Sequence, residues 1–191
     1  MKNTRVILLL FIFFVCFQTS AKDSEERKLS AFHNISVVDG ITVVLIPSDK
    51  NKAVVTADGI PLSDVVTDLS VFSLTVKLKN YVPKASVSVE IYYIDELDAI
   101  TTESGVTVLS DGKVYADKLN INARFGGVIR IEIQAKEVEI QAAGATVTLT
   151  GNTSKLNVYA LKDAFVDCSS LVYTSQKKFV SDNGIVKLKE Q

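Results

Sequence analysis

The chain of 191 residues has few of the residues that usually mark a catalytic site. Its one histidine excludes a multi-histidine metal site and leaves little room for a histidine-based triad. Two cysteines are too few for a disulfide-dense scaffold, and no tryptophan is present to build a sugar platform. A formal net charge of −1 excludes nucleic-acid binding through gross positive charge. We therefore expect a noncatalytic protein with no metal and no cofactor.

The amino terminus has the layout of a secretory signal peptide. Lys2 and Arg5 form a short positive region, and Val6–Phe17 then run for twelve residues without a charge. The alternative is a transmembrane anchor. Twelve residues span only about 18 Å as a helix, which is short of the roughly 30 Å hydrocarbon core of a bilayer. Residues 1–21 are therefore interpreted as an export signal.

The predicted cleavage site lies between Ala21 and Lys22, with Thr19 and Ala21 at the −3 and −1 positions. Lipidation of Cys16 is the alternative, but Val15 stands where a small residue is needed. After cleavage Cys168 would be the only cysteine, so an intrachain disulfide would be excluded. We expect an exported protein of the periplasm, the outer membrane or the cell surface.

The remaining chain is predicted to be a charged linker at 22–29, followed by a single domain at 30–191. Apolar and polar residues alternate strictly along Phe72–Leu78 and Val87–Tyr93, which is typical of half-buried strands. Pro61–Val66 has apolar residues at helical spacing and predicts one or two helical turns. The pattern therefore predicts an all-β protein with a strand-rich amino-terminal segment.

A repeat of about 20 residues begins near Leu97 and predicts a solenoid. Its units are predicted to open at Leu97, Leu119, Val138, Leu156 and Phe179. Glycines predicted to form tight structural corners follow in most units, at Gly105, Gly126, Gly127, Gly144 and Gly184. A parallel β-helix explains the match in residue type as well as in spacing. An antiparallel sandwich with accidental spacing is the alternative.

The chain resembles the head GIN domain family, also labelled "putative auto-transporter adhesin", over about residues 30–189. The resemblance rests on four passages: an opening pair of strands around Gly40; a short helix and strand at Leu62–Val66 with Leu74 and Val76; the alternating Val87, Val89, Ile91 and Tyr93 with Leu97 and Ile100; and corners such as Ser104–Gly105 and Ala143–Gly144. It implies a right-handed parallel β-helix and an exported bacterial protein, commonly of the Bacteroides group, with no established activity. Lys162–Asp163 departs from the pattern, because a glycine corner is expected there.

A carbohydrate-active lyase or hydrolase is the alternative function, because such enzymes also use β-helices. Glycoside hydrolysis needs two carboxylates about 5 to 9.5 Å apart. Asp163 and Asp167 form the best local pair, but four extended residues separate them by roughly 13 Å. The cluster formed by Asp95, Glu96 and Asp98 is interpreted as solvated turn residues rather than a weak calcium site.

Three further features carry weaker hypotheses. His33 is predicted to point outward, and Cys168 to face the core as a small apolar residue. Tyr115, Tyr159 and Tyr173 could gather along one side of the solenoid as a sugar-binding stripe.

The expected function is adhesin-like binding or scaffolding, with an envelope protein, a glycan or another copy of the chain as partner and without nucleic acid. The lysines of the final strand resemble edge protection against end-to-end association.

Overall fold

A computed structural model describes residues 23–189, so the predicted signal peptide and its cleavage site between Ala21 and Lys22 lie outside the described residues. The described part contains fourteen strands and one short 3-10 turn, Leu62–Asp64. The strands are β1 (Asp23–Lys28), β2 (Asn34–Val37), β3 (Thr42–Pro47), β4 (Lys52–Asp58), β5 (Val65–Ser70), β6 (Ser73–Leu78), β7 (Ser86–Tyr93), β8 (Ala99–Thr102), β9 (Thr107–Arg124), β10 (Val128–Ala143), β11 (Thr146–Leu161), β12 (Phe165–Cys168), β13 (Leu171–Val180) and β14 (Ile185–Leu188). The predicted all-β class is confirmed. Within residues 23–189, no helix has the length and apolar character needed to cross a membrane.

The parallel strands stack into three columns, numbered here in the order in which a coil passes through them. Column 1 contains β3, the beginnings of β9, β10 and β11, and then β12 and β14. Column 2 contains the central parts of β9, β10 and β11 and the beginning of β13. Column 3 contains β2, β8, the ends of β9, β10 and β11, and the end of β13. The predicted parallel β-solenoid is confirmed.

One coil of this solenoid takes about twenty residues. Successive register partners in column 1 are Thr107, Val128, Thr146, Phe165 and Ile185. Their residue numbers differ by 21, 18, 19 and 20. Because the register returns to the same column after each coil, backbone groups pair with the coil before and the coil after.

The core lies inside the columns as ladders of apolar side chains. In column 3, Ile121, Ile140 and Val158 are register partners, and each is almost fully buried. Outward residues alternate with them along each strand and are more exposed. Each inward side chain therefore packs between the equivalent side chains one strand spacing above and below it.

The predicted repeat is correct in the central coils and wrong at its last unit. Leu119, Val138 and Leu156 are register partners, as the repeat of about 20 residues predicted. Leu156 pairs next with Gln176, whereas the sequence predicted Phe179 as the opening residue. In the last coil the inward positions hold polar residues such as Gln176. The apolar pattern therefore predicted the start of this repeat unit three residues too late.

The amino-terminal segment forms a cap on the first coil. Between β3 and β8 the chain does not follow a solenoid coil. In this segment β6 pairs parallel with β2 and so extends column 3, and β7 pairs parallel with β3 and so extends column 1. Strands β5, β4 and β1 then pair antiparallel outside them. The charged segment 22–29 was predicted to be a linker, but β1 lies within it and pairs with β4 over its whole length.

Arg27 joins the two sides of this cap. Its Nη1 donates to the carbonyl oxygen of Val65 at 2.6 Å and to Thr67 Oγ1 at 3.2 Å. Its Nη2 donates to the carbonyl oxygen of Leu62 at 2.8 Å and to Glu25 Oε2 at 2.9 Å. A guanidinium presents several donors in a fixed geometry, so one side chain satisfies acceptors on both β1 and the β5 region.

Candidate functional site

The outer side of column 3 carries two parallel rows of side chains, which we call the amide–aromatic face. Its first row is formed by the register partners Asn120, Glu139, Asn157 and Lys177. Its second row is formed by Asn122, Gln141, Tyr159 and Phe179. Neighbouring members of a row are one strand apart, or about 4.8 Å. The fold therefore aligns amides and aromatic rings that are about 20 residues apart in the sequence.

The two aromatic side chains of the second row are open to solvent. Tyr159 is 41% exposed and Phe179 is 55% exposed. Beside them, Gln141 Nε2 donates to Glu139 Oε1 at 3.0 Å, which joins the two rows. Large aromatic surface at a solvated position, with polar groups next to it, is typical of a binding surface.

A groove of about 430 Å³ continues the face toward the turns that precede column 1. Ala143 lies between its register partners Arg124 and Leu161, and its small side chain leaves a depression there. Phe125, which is 70% exposed, and Lys162 complete the lining together with Gln141. The groove therefore combines an apolar surface with two cationic side chains and one amide.

A cluster of ion pairs borders the face where column 3 begins. Glu137 Oε1 accepts a hydrogen bond from Lys155 Nζ at 3.0 Å and another from Asn157 Nδ2 at 3.3 Å, and Lys118 Nζ lies 4.0 Å away. The hydrogen bond from Lys155 lowers the pKa of Glu137. Glu137 is therefore an ionised acceptor at neutral pH and is poorly suited to act as a general acid.

Of the two acidic residues considered for catalysis, one lies in a turn and the other is held by a neighbouring serine. Asp163 is in the turn after β11, and Asp167 Oδ1 accepts from Ser169 Oγ at 2.6 Å and from its backbone N–H, which lowers the pKa of Asp167. A further exposed carboxylate, Asp117 on β9, forms an ion pair with Lys136 at 2.7 Å. Across residues 23–189, no group of three His, Cys, Asp or Glu side chains is placed to hold a metal ion.

The three tyrosines of the predicted stripe do not gather. Tyr115 lies in column 2 on the outside, where it is 48% exposed and pairs with Gln134. Tyr173 is half-buried and packs against the core. Only Tyr159 lies on the amide–aromatic face, so a stripe formed by these three side chains is excluded.

His33 and Cys168 are held by ordinary structural contacts. The His33 ring packs 5.8 Å from the Phe72 ring, and its Nδ1 lies 3.1 Å from the carbonyl oxygen of Glu96. Cys168 is fully buried in column 1, as predicted, and burial raises the pKa of its thiol to about 12. A thiol with that pKa is a poor nucleophile at neutral pH.

The predicted corner glycines fall into two groups. Gly105, Gly126 and Gly144 lie in the segments that precede column 1, with φ of +73°, +79° and +57°. Gly127 and Gly184 do not have positive φ, but neighbouring atoms leave no room for a side chain at either position. A Cβ on Gly127 would lie 2.5 Å from Thr102 Oγ1, and a Cβ on Gly184 would meet the carbonyl oxygen of Ala160.

The corner that lacks glycine keeps the same left-handed backbone. Lys162 and Asp163 have φ of +51° and +60° in the turn between β11 and β12. This conformation is strained for most residues but is tolerated by aspartate better than by β-branched residues. The departure from the glycine pattern therefore changes the residues of the turn but not the positive sign of φ.

Sequence reasoning missed most of the amide–aromatic face. Asn122 and Gln141 are ordinary polar positions of alternating strands, and nothing in the sequence distinguishes them from other solvated residues. Phe179 is predicted from the sequence only to open a repeat unit. A register that counts Gln176 as the partner of Leu156 would have placed Phe179 beside Tyr159.

Comparison with solved structures identifies similar folds. A crystal structure described as a "putative adhesin" from Bacteroides fragilis has a TM-score of 0.75 at 13% identity, covering 85% of this chain and 78% of that chain. Another "putative adhesin", from Parabacteroides distasonis, has a TM-score of 0.63 at 16% identity, covering 87% and 81%. A "putative lipid binding protein" from the same species has a TM-score of 0.53 at 12% identity, covering 85% and 79%.

No curated protein matches the sequence. The family described as "Putative auto-transporter adhesin, head GIN domain" matches residues 31–178, which include strands β2 to β12 and most of β13. This match covers well over half of the chain, and the protein therefore belongs to the head GIN domain family.

Proposed function

We propose that this protein is a noncatalytic, exported binding domain of the cell envelope or cell surface, and that it binds carbohydrate on the amide–aromatic face. The observation that carries the proposal is the second row of that face, in which Asn122, Gln141, Tyr159 and Phe179 lie on adjacent strands. Membership of an adhesin-like family supports a binding role. The predicted signal peptide supports export.

The chemistry of the face suits a sugar. An aromatic ring can cover the apolar C–H face of a pyranose, while amide groups donate to and accept from its hydroxyl groups. Arg124 and Lys162 flank the adjoining groove and favour a glycan that carries carboxylate groups. The surface is open rather than enclosed, which suits a chain of sugars better than a buried acyl chain.

The carbohydrate-active enzyme is less well supported than the binding domain. A glycosidase needs one carboxyl group whose pKa is raised, so that it stays protonated and can act as the acid. Wherever a carboxyl pKa is shifted among the described residues, it is lowered, as for Glu137 and Asp167. Carboxylates of this kind are suited to ion pairing and hydrogen bonding.

The test is a glycan array probed with the chain from Lys22 to Gln191, followed by titration of the positive glycans. Tyr159→Ala and Phe179→Ala should each weaken binding by about 5- to 160-fold, if stacking on an aromatic ring contributes on the order of 1–3 kcal/mol as it does for nucleic-acid bases. Tyr115→Ala is the matched control, since Tyr115 is similarly exposed but lies in column 2. It should bind like the parent chain.

Other outcomes separate the alternatives. Release of reducing ends or unsaturated products from a bound glycan would show an enzyme and overturn the noncatalytic proposal. Binding to phospholipid vesicles without binding to any glycan would overturn the carbohydrate assignment. Equal loss of binding in the Tyr115 and Tyr159 variants would move the site away from the amide–aromatic face.

A further inference from the structure

At the carboxyl-terminal end of the solenoid, the last layer of strands has no further layer packed on it within residues 23–189. Within residues 23–189, no strand pairs with the outer edge of β13 or of β14. The inward residues Val186 and Leu188 are only half-buried, and Val180, also inward, is 41% exposed. These side chains occupy positions that are fully covered in the preceding coils, so the last layer has the geometry of a core without the next coil on top.

The two strands of this end are also basic. Strands β13 and β14 contain Lys177, Lys178 and Lys187 and no carboxylate. Lys178 pairs with Val158, which places it at an inward position of column 3. Lysines on a sheet edge disfavour pairing with another basic edge, because the two would bring like charges together.

The amino-terminal end has the opposite character. Its outermost strands, β1 and β5, contain four carboxylates and two cationic side chains. The carboxylates are Asp23, Glu25, Glu26 and Asp68. Within the described residues, β1 pairs only with β4 and β5 only with β6, so both strands keep a free edge.

The direction of β1 matches that of the stacked coils. Strand β1 is antiparallel to β4, β4 is antiparallel to β7, and β7 is parallel to β3 of column 1. Strand β1 therefore runs in the same direction as β14. A second copy displaced along the solenoid axis would place its β1 beside β14 in a parallel ladder, which is the pairing already used throughout column 1.

We propose that the chain associates head to tail with a second copy of itself, with β14 of one copy pairing with β1 of the next in column 1. The basic end and the acidic end attract each other, while two basic ends or two acidic ends repel. The contact is heterologous, so repetition produces linear chains of copies rather than a closed dimer. Column 1 together with the cap strands β7, β4 and β1 that continue it contains nine strands, which predicts a repeat of about 43 Å at a strand spacing of about 4.8 Å.

The first experiment measures mass by sedimentation equilibrium for the chain from Lys22 to Gln191, at low and high salt. We expect mass above that of a monomer which grows with concentration, and at least a tenfold weaker association at 0.5 M than at 0.05 M salt, by an order-of-magnitude argument from screening. Electron microscopy of the associated material should show a repeat of about 43 Å. A monomer at every concentration up to about 0.1 mM at low salt would overturn the proposal.

Charge reversal tests which ends meet. Lys178→Glu with Lys187→Glu should abolish self-association, as should Asp23→Lys with Glu26→Lys. A mixture of the two double variants should associate again, into chains in which the two variants alternate. The acidic β14 end of the first variant then meets the basic β1 end of the second, and the basic β14 end of the second meets the acidic β1 end of the first. Lys113→Glu with Lys136→Glu is the matched control, since both lysines have exposed side chains on the central strands β9 and β10, and it should associate like the parent.

Cross-linking tests the orientation separately. Ser24→Cys on β1 and Lys187→Cys on β14 are mixed and treated with a short bis-maleimide. Cross-links should form between the two variants, while each variant alone should stay uncross-linked and the parent chain, with its buried Cys168, should not react. Cross-links within one variant alone would overturn the head-to-tail arrangement. These readouts are independent of glycan binding, so failure of one proposal leaves the other testable.

Discussion

The stacked coils and the amino-terminal cap are continuous in one sheet, but they complete it by different means. In the coils, each inward layer is apolar because another apolar layer lies on both sides, as for Ile140 between Ile121 and Val158. In the cap, the outermost inward positions hold Glu25 and Arg27. Inward positions therefore need apolar residues only where a further layer of strands packs on them. At the last strand of the sheet, charged side chains can occupy these positions instead.

Truncation of a central ladder residue should have the largest effect. Ile140 is fully buried, so Ile140→Ala should lower the free energy of unfolding by about 2–5 kcal/mol through lost burial and a cavity between two layers. Urea unfolding followed by circular dichroism measures the change. Ile140→Val, the conservative control, should cost about 0.5–1.5 kcal/mol. A loss below about 1 kcal/mol for the alanine variant would mean that the ladder is not tightly packed.

The corners offer a second test within the coils. Gly144 has φ of +57°, so Gly144→Val should cost on the order of 1–3 kcal/mol because a β-branched residue is strained there. Asp163→Gly makes the reverse change at the corner without glycine, where φ is +60°. Stability should then be unchanged or raised by less than about 1 kcal/mol. Thermal unfolding of both variants decides whether the two corners are conformationally equivalent.

The cap should respond locally rather than globally. Arg27→Ala removes the donors to the carbonyl oxygens of Leu62 and Val65, which should cost on the order of 1–3 kcal/mol of local stability. Amide hydrogen exchange should accelerate in β1 and β5 and stay unchanged in β10. Arg27→Lys keeps the charge but not the forked geometry, so it should recover only part of the protection. Uniform acceleration in all strands would contradict a separate cap.

The coils were predictable because their cause is visible in the sequence. Leu119, Val138 and Leu156 recur at one inward position, and apolar side chains are needed at each repeat to fill the ladder. The cap was not predictable in the same way. The run from Asp23 to Lys28 has no apolar alternation, because its inward side chains lie at an end of the sheet; its strand forms through backbone pairing with β4, which leaves no mark on residue type.

The candidate site was still less visible. Outward positions of a solenoid are free to vary, so Asn122 and Gln141 carry no periodic pattern that sets them apart from solvated strand residues. Their alignment with Tyr159 depends on register between coils, and register depends on the exact length of each turn. The polar Gln176 at the inward position of the last coil hid that register where Phe179 joins the face.

Acid should weaken the ion pair between Glu25 and Arg27 in the cap. The hydrogen bond from Arg27 lowers the pKa of Glu25 below its ordinary value of 4.5. Because the folded pKa is depressed, the ion pair stabilises the cap above pH 4.5 and is lost as pH falls through the folded pKa. Carbon-detected NMR should show Glu25 titrating below 4.5 with accompanying shifts in β1. Titration at the ordinary value would mean that the pair with Arg27 does not form in solution.

The smallest effect should come from the outer surface of the coils. Glu139→Gln keeps the oxygen that accepts from Gln141 and loses only the attraction to Lys118, whose half-exposed side chain lies 3.9 Å away. An exposed pair of this kind contributes little, so the free energy of unfolding should change by less than about 0.5 kcal/mol. Urea unfolding beside Ile140→Ala gives the comparison, since the two residues are neighbours on β10 that point to opposite sides of the sheet. A loss approaching that of Ile140→Ala would mean that the amide–aromatic face holds the coils together rather than lying free to bind a partner.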